Sequence, residues 1–188
     1  MKSRKKAVFL DRDGVINKTC FRGGEISSPR NISELILTEN IRITLDKLRV
    51  LNFELVVITN QPDISRGLMS QEDLHLIHEK IRVETGLNNI YVCPHDNQDR
   101  CECRKPKTGM IEQAISDLDL DTYGSYLIGD RVSDVQAGIT MNLRSILLTT
   151  NFKINQTVSN FIMCSDIYRA VETIENQENL KQNQRLLI

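Results

Sequence analysis

Short apolar runs alternate with amphipathic stretches along most of the chain. Ala7–Leu10 and Glu54–Thr59 (ELVVIT) are nearly unbroken aliphatic runs, the pattern of strands buried on both faces. Ile90–Val92, Ser125–Ile128 and Ser145–Leu148 extend the series. Between them Glu39–Leu51, Gln71–Glu84, Gly109–Leu118 and Ser133–Met141 carry apolar residues at helical spacing. Ser70 with Asp73 three residues later predicts a helix N-cap and an acidic first turn. Such alternation predicts a parallel sheet with helices on both faces. Asn17–Glu34, punctuated by Gly, Ser and Pro, is expected to be a loop over the strand ends. Ile162–Asn176 is expected to add a short strand and a helix, and residues 177–188 read as a polar C-terminal tail.

Composition narrows the class. The 188 residues suit one domain with a sizeable core. Aromatics make up only 5% and Trp is absent, which fits an aliphatic sheet interior. The formal net charge of −1 gives no global basic field, so neither nucleic acid nor a membrane is an expected partner. The N-terminus MKSRKKAVFL is basic and then apolar, but the apolar run soon meets Asp11-Arg12-Asp13, too early for a signal peptide. The expectation is a cytoplasmic protein, a monomer, with its five cysteines free of disulfides.

Four polar clusters fall at predicted strand ends, where ligands bind in open α/β sheets. Asp11 and Asp13 flank Arg12 and precede Gly14. In an extended chain the two carboxylates point one way and Arg12 the other. Like charges so close ask for a cation or a shared proton. Thr59, Asn60 and Gln61 offer a hydroxyl and amides, and Arg104, Lys105 and Lys107 form a local basic patch. Asp130 follows Gly129, with Arg131 next and Asp134 four residues on, near it on one helix face. Each cluster alone is as well explained by a solvated turn or a helix cap. Together they favour phosphoryl transfer: Asp11 as nucleophile, Asp13 as proton donor and then acceptor, Asp11 and Asp130 on Mg²⁺, and Lys105 with Thr59 on the phosphoryl oxygens.

The stretch CPHDNQDRCEC adds Cys93, His95, Cys101 and Cys103. Three thiolates and an imidazole make a closed tetrahedral set for structural Zn²⁺. Arg104 and Lys105 begin at the next residue, so zinc would order the loop that delivers them. His75 and His78 read as ordinary helix residues.

In order, DRDGVIN, VVITNQ, CRKPKTGM and IGDRVSD resemble the motifs of the haloacid dehalogenase-like phosphatases. With the zinc loop, the likeness narrows to the branch acting on heptose bisphosphate and histidinol phosphate. The resemblance implies a Rossmann-like three-layer α/β sandwich with little or no separate cap domain, one phosphatase domain over 1–176, and zinc loop 93–103. It implies Mg²⁺ on Asp11, Asp130 and the Asp13 backbone carbonyl. It places catalysis on Asp11, Asp13, Thr59 and Lys105, and substrate contacts on Asn60, Gln61, Arg104 and Arg131. The implied substrate is a small phosphorylated metabolite, a sugar bisphosphate ahead of histidinol phosphate. A zinc-stabilised binding module without activity, or a polynucleotide-end phosphatase, is the competing reading. Pro62-Asp63 departs from the Ser-Gly often found there, and an extra carboxylate beside a dianionic substrate would repel it unless it points away. The Thr19–Arg30 loop also departs from the pattern.

Overall fold

The structure, a computed structural model, describes residues 4–149 and 159–186. Its elements in chain order are β1 (Lys5–Leu10), the hairpin β2 (Cys20–Arg22) and β3 (Glu25–Ser27), α1 (Ile41–Val50) and β4 (Glu54–Asn60). Then come α2 (Gln71–Thr85), β5 (Asn89–Cys93), α3 (Gly109–Leu118), β6 (Leu120–Gly129), α4 (Val132–Thr140), β7 (Arg144–Leu148), β8 (Phe161–Cys164) and α5 (Ile167–Leu186). Six strands pair in parallel in the order β5-β4-β1-β6-β7-β8. The chain winds outward from β1 to β4 and β5, then crosses back to β6 on the other side of β1. The order therefore reverses between β1 and β6, and a crevice opens beyond their carboxyl ends.

Alternate residues of each strand feed two cores, which makes three layers. Val8, Leu10, Val57, Tyr126 and Ile128 pack under α1, α2 and α5. Ala7, Phe9, Val56, Ile58 and Leu127 pack under α3 and α4. The strands are apolar on both faces because both faces are covered, as the unbroken aliphatic runs require. Ser70 caps α2, its side chain accepting from the Asp73 N–H, and Gly86 ends that helix in the left-handed region.

Three departures from the sequence pattern have local causes. The Asn17–Glu34 stretch contains the short hairpin β2–β3, in which Phe21 faces Ile26. β6 begins at Leu120 rather than near Ser125. The segment Asp121–Gly124 looks like a turn in sequence, and it bulges: the register with β1 shifts between Lys6 and Val8. There the Ser125 hydroxyl accepts from the Ala7 N–H at 2.8 Å, replacing a ladder acceptor.

The third departure is α5, which continues through Leu186 where a tail was expected. Glu178 anchors it. Its carboxylate is buried, 2.5 Å from Lys6 Nζ, and accepts from the Tyr126 hydroxyl at 3.2 Å and from Lys181. Burial works to raise the Glu178 carboxyl, but Lys181 and Lys6 outweigh it and hold the group below the usual glutamate range. A depressed carboxyl stabilises the fold above its unfolded-state range and loses that contribution as pH falls through its folded value. Glu178→Ala is expected to cost about 1–3 kcal/mol in urea unfolding at neutral pH. The gap between wild type and variant should shrink as pH is lowered through the glutamate range.

Candidate active site

β1 ends at Leu10, and the chain then coils rather than running on extended. The Ile16 and Asn17 N–H groups both return to the Arg12 carbonyl, at 2.8 and 3.1 Å. The tight coil changes what Arg12 does. Its side chain has no solvent exposure and folds back onto Asp13, Nη2 lying 2.9 and 3.0 Å from the two carboxylate oxygens. The expectation that Arg12 points away from the two aspartates is therefore corrected. A strand alternation does not survive a turn.

Asp13 is gripped on every side. Asn17 Nδ2 donates to it at 2.9 Å, Gln61 Nε2 at 2.7 Å and Ser28 Oγ at 2.8 Å. Burial would raise its carboxyl, but Arg12 first, then Asn17, Gln61 and Ser28, hold it below the usual range. Behind Arg12 stands His78 of α2, with Nε2 3.2 Å from Arg12 Nη1. Burial, then the charges of Arg12 and Arg82, press His78 down to about 3. The imidazole is neutral, and because a guanidinium only donates, Nε2 is the acceptor.

Asp11 faces the other way. Its Oδ1 accepts from Lys105 Nζ at 2.8 Å, and the same ammonium reaches Asp134 Oδ1 at 2.6 Å and the Ile58 carbonyl at 2.9 Å. Lys105 is itself held by Asn60, whose side chain bonds both the Lys105 N–H and its carbonyl, at 3.1 and 3.2 Å. Ligand atoms of Asp11, Asp130 and Asp134 lie within 4.8 Å of one another. Burial pushes Asp11 up to about 7, with Asp134 and Asp130 adding to it against the pull of Lys105. Burial, and next the charge of Asp134, push Asp130 up to about 6. Asp130 Oδ1 is buried without a hydrogen bond, and Asp134 Oδ1 has only the Lys105 ammonium. Three hard oxygen donors under mutual repulsion, with Asp130 Oδ1 left without a close partner, fit a divalent cation of the Mg²⁺ type. Two glycines permit the crowding: a Cβ on Gly14 would meet Asp130 Oδ2 at 2.2 Å, and one on Gly129 would meet Asp134 Cβ at 2.3 Å.

The zinc-type cluster is also assembled. Cys93 Sγ lies 3.6 Å from Cys101 Sγ and 3.7 Å from His95 Nδ1, which is 3.3 Å from Cys103 Sγ. A tetrahedral ion with Zn–S bonds of about 2.3 Å needs sulfurs about 3.8 Å apart, so the four residues fit that ion. The loop is tied to the site as well, since Arg104 donates to the His95 carbonyl at 3.2 Å and to Asn97 Oδ1 at 2.7 Å.

The expected residues thus converge, but not all in one layer. Asp11, Asp13, Asn60, Arg104, Lys105 and Arg131 line a cavity of about 510 Å³. Thr59 and Gln61 are fully buried beneath it, with the Gln61 amide donating to Asp13 and to Thr59 Oγ1 rather than projecting toward a ligand. Asp134, Asn17, Ser28 and His78 belong to the arrangement although the motifs did not assign them roles. For Asp134 the signal was present in its spacing from Asp130.

A parallel sheet with a lysine-bridged carboxylate at its switch point and a basic rim defines an α/β enzyme that handles phosphoryl groups. Comparison with known proteins gives the family. A HAD-hydrolase-like family model matches residues 102–168. The D-glycero-alpha-D-manno-heptose-1,7-bisphosphate 7-phosphatase of Photorhabdus laumondii is 34% identical over 183 residues, spanning 90% of this chain and 97% of that protein. The D-glycero-beta-D-manno-heptose-1,7-bisphosphate 7-phosphatase of Haemophilus ducreyi is 35% identical over 161 residues, spanning 79% and 85%. Among solved structures, the D,D-heptose 1,7-bisphosphate phosphatase from B. bronchiseptica, complexed with magnesium and phosphate, superposes with a TM-score of 0.80. Its identity is 26%, over 92% of this chain and 99% of that one. The chain belongs to the haloacid dehalogenase-like phosphatases, on the branch of the heptose-1,7-bisphosphate 7-phosphatases. Among the described residues no helix is long and apolar enough to cross a membrane.

Gly14 sits at φ +86° with no room for a side chain. Gly14→Ala is expected to displace Asp130 and weaken Mg²⁺ binding by about 10–100-fold with the fold retained, as read by calorimetry and circular dichroism.

Proposed function

We propose that this chain is a magnesium-dependent phosphatase that removes the 7-phosphate of D-glycero-D-manno-heptose 1,7-bisphosphate through an aspartyl-phosphate. The observation that carries the reading is the Asp11–Lys105 contact of 2.8 Å at the cavity floor, with Asp13 two residues away. A lysine there holds the nucleophile's orientation and gives a phosphoryl oxygen a positive partner. Asp11, Asp130 and Asp134, with the Asp13 backbone carbonyl, would hold Mg²⁺, which supplies charge that neutralises the phosphoryl oxygens and keeps Asp11 ionised. Relatives with both alpha and beta names resemble the chain equally well, so the substrate is proposed without its anomer.

Asp11 attacks phosphorus as the bond to the leaving oxygen breaks, and Asp13 gives that oxygen its proton. Asp13, now a carboxylate, then takes a proton from water as the hydroxyl attacks the aspartyl-phosphate. Phosphate leaves, Asp11 is free, and Asp13 is again protonated for the next cycle. The donors around Asp13 favour its carboxylate form, which suits the second half. The first half needs one of them to reverse, and Ser28 can do so, since a hydroxyl accepts as readily as it donates.

Zinc on Cys93, His95, Cys101 and Cys103 fixes the loop from which Arg104 and Lys105 project and takes no part in bond-making. Every group used comes from one chain, which supports a monomer as the working unit, and thiolate ligands suit the reducing cytoplasm. The short segment between His95 and Cys101 is the feature that favours histidinol phosphate instead. Comparing phosphate release from the two substrates decides between them.

Asp11→Asn should lower turnover by at least about 10³-fold while the fold persists, and beryllium fluoride should no longer be trapped at residue 11. An active Asp11→Asn enzyme would refute the covalent route. Cys101→Ser should lower the zinc content measured by atomic emission and raise KM as the Arg104–Lys105 loop loosens.

A further inference from the structure

Asp63 is the unexpected carboxylate beside the site, and the structure shows what it holds. It is buried, 6% exposed, at the start of the tight turn that follows β4, its carbonyl accepting from the Leu68 and Met69 N–H groups at 2.8 and 3.1 Å. Its Oδ2 accepts from Arg30 Nε at 2.7 Å, and its Oδ1 lies 3.4 Å from Arg66 Nη1. Arg66 is otherwise occupied, with Nε and Nη2 on the two oxygens of Asp96 at 2.7 and 2.9 Å. Arg22, the cation of the hairpin, is occupied too, by Glu34, Ser27 and the Ser28 carbonyl.

Arg30 differs from both. Its backbone N–H is fixed by Glu34 at 2.8 Å and its Nε by Asp63, yet neither terminal nitrogen has a hydrogen-bond partner among the described residues. The residue lines the same cavity as Asp11 and Lys105. A guanidinium held by its Nε edge presents its Nη1–Nη2 edge as a preset two-pronged donor, the geometry that takes two oxygens of a phosphate. The cavity is too large for the reacting phosphoryl group alone.

We infer that Arg30, aimed by Asp63, binds the second, non-reacting phosphate of a sugar bisphosphate, together with the free N–H groups of Arg104 and Arg131. The inference rests on the proposed sugar bisphosphate reading and names its specificity residue. Asp63 acts here as a positioning residue. Its charge cancels that of Arg30 at long range, so its contribution is orientation rather than field. The two effects have opposite signs, which makes them separable: removing the Asp63 charge would strengthen phosphate binding if field dominated, and weakens it if aim dominates.

The test measures kcat/KM for heptose 1,7-bisphosphate, for the heptose 7-phosphate that lacks the distal phosphate, and for p-nitrophenyl phosphate. Melting curves confirm that each variant is folded. Arg30→Ala should lower the bisphosphate-to-monophosphate ratio about 10–100-fold, chiefly through KM. Arg30→Lys, which keeps the charge and loses the fork, should lose most of that ratio. Asp63→Asn should lower it about 3–10-fold, and the double variant Arg30→Ala/Asp63→Asn should be no worse than Arg30→Ala alone. Equal losses on bisphosphate and monophosphate, or tighter bisphosphate binding in Asp63→Asn, would overturn the assignment. If wild type turns over heptose bisphosphate no faster than p-nitrophenyl phosphate, the substrate reading fails. Arg30 is then judged by the same ratio on fructose 1,6-bisphosphate against fructose 6-phosphate, where an unchanged ratio overturns it.

Discussion

The ammonium of Lys105, almost dry and shared between Asp11 and Asp134, is the interaction on which the site depends. Three carboxylates within 4.8 Å repel pairwise by about 3–4 kcal/mol at an effective dielectric of 20. One lysine cannot offset three such charges. Burial first, and the neighbouring carboxylates after it, drive Asp11 and Asp130 toward neutrality, and a divalent cation would relieve the repulsion. The parallel sheet supplies what makes this tolerable. Strand ends hold the groups in place before any ligand arrives, and glycines at 14 and 129 let them approach without side chains between. Asp13, two residues from Asp11, escapes this repulsion because Arg12 turns under it and Asn17, Gln61 and Ser28 close around it. Neighbouring aspartates are thereby given opposite protonation tendencies, Asp11 toward the neutral form and Asp13 toward the carboxylate; a cation at Asp11 would restore its ionised form.

How much of this was legible in the sequence follows the range of the forces involved. Buried parallel strands are written locally, as aliphatic runs, so β1, β4, β5 and β7 fall within a residue or two of where the pattern puts them. That Asp11, Asp13 and Lys105 would converge, and that the four zinc-type ligands would cluster, was also readable, because the proposed chemistry demands particular residue types at strand ends and hooks. Arg12 was not: its direction depends on a coil that begins at residue 11, and strand periodicity says nothing about a coil. His78 and Ser28 were hidden for a different reason. Each looks ordinary in its own segment and gains a role only when α2 and the segment after β3 pack against Asp13 and Arg12. The bulge in β6 and the full length of α5 depend on contacts with β1, through Ser125 and Glu178, that no local window contains. Gln61 was placed at the substrate by its motif and lies one layer below it, because Asp13 and Thr59 consume its amide.

The loop bearing Arg104 and Lys105 sits between two fixed points. Below, Asn60 bonds the Lys105 backbone from the end of β4. Above, the Cys/His cluster draws the 93–103 segment into a knot and Arg104 is pinned back onto it. A long polar loop carrying the lysine of the site would otherwise lose orientation, and in the proposed phosphoryl transfer orientation counts as well as charge. Asn60, the last residue of β4, fixes the Lys105 backbone, whereas Asp63, in the turn that follows, holds the Arg30 side chain by its Nε.

Asp11 lies far in the chain from Asp130 and Asp134, and the three carboxylates meet only when β1, β6 and α4 are folded together. An unfolded chain has no such pocket. By mass action, any divalent ion that occupies it draws the population toward the native state, by an amount that grows with the logarithm of ion concentration over the dissociation constant. The acidic crowding that looks like a liability to the bare protein therefore couples its persistence to the magnesium supply of its surroundings. An ion that serves the proposed chemistry would also keep the chain folded.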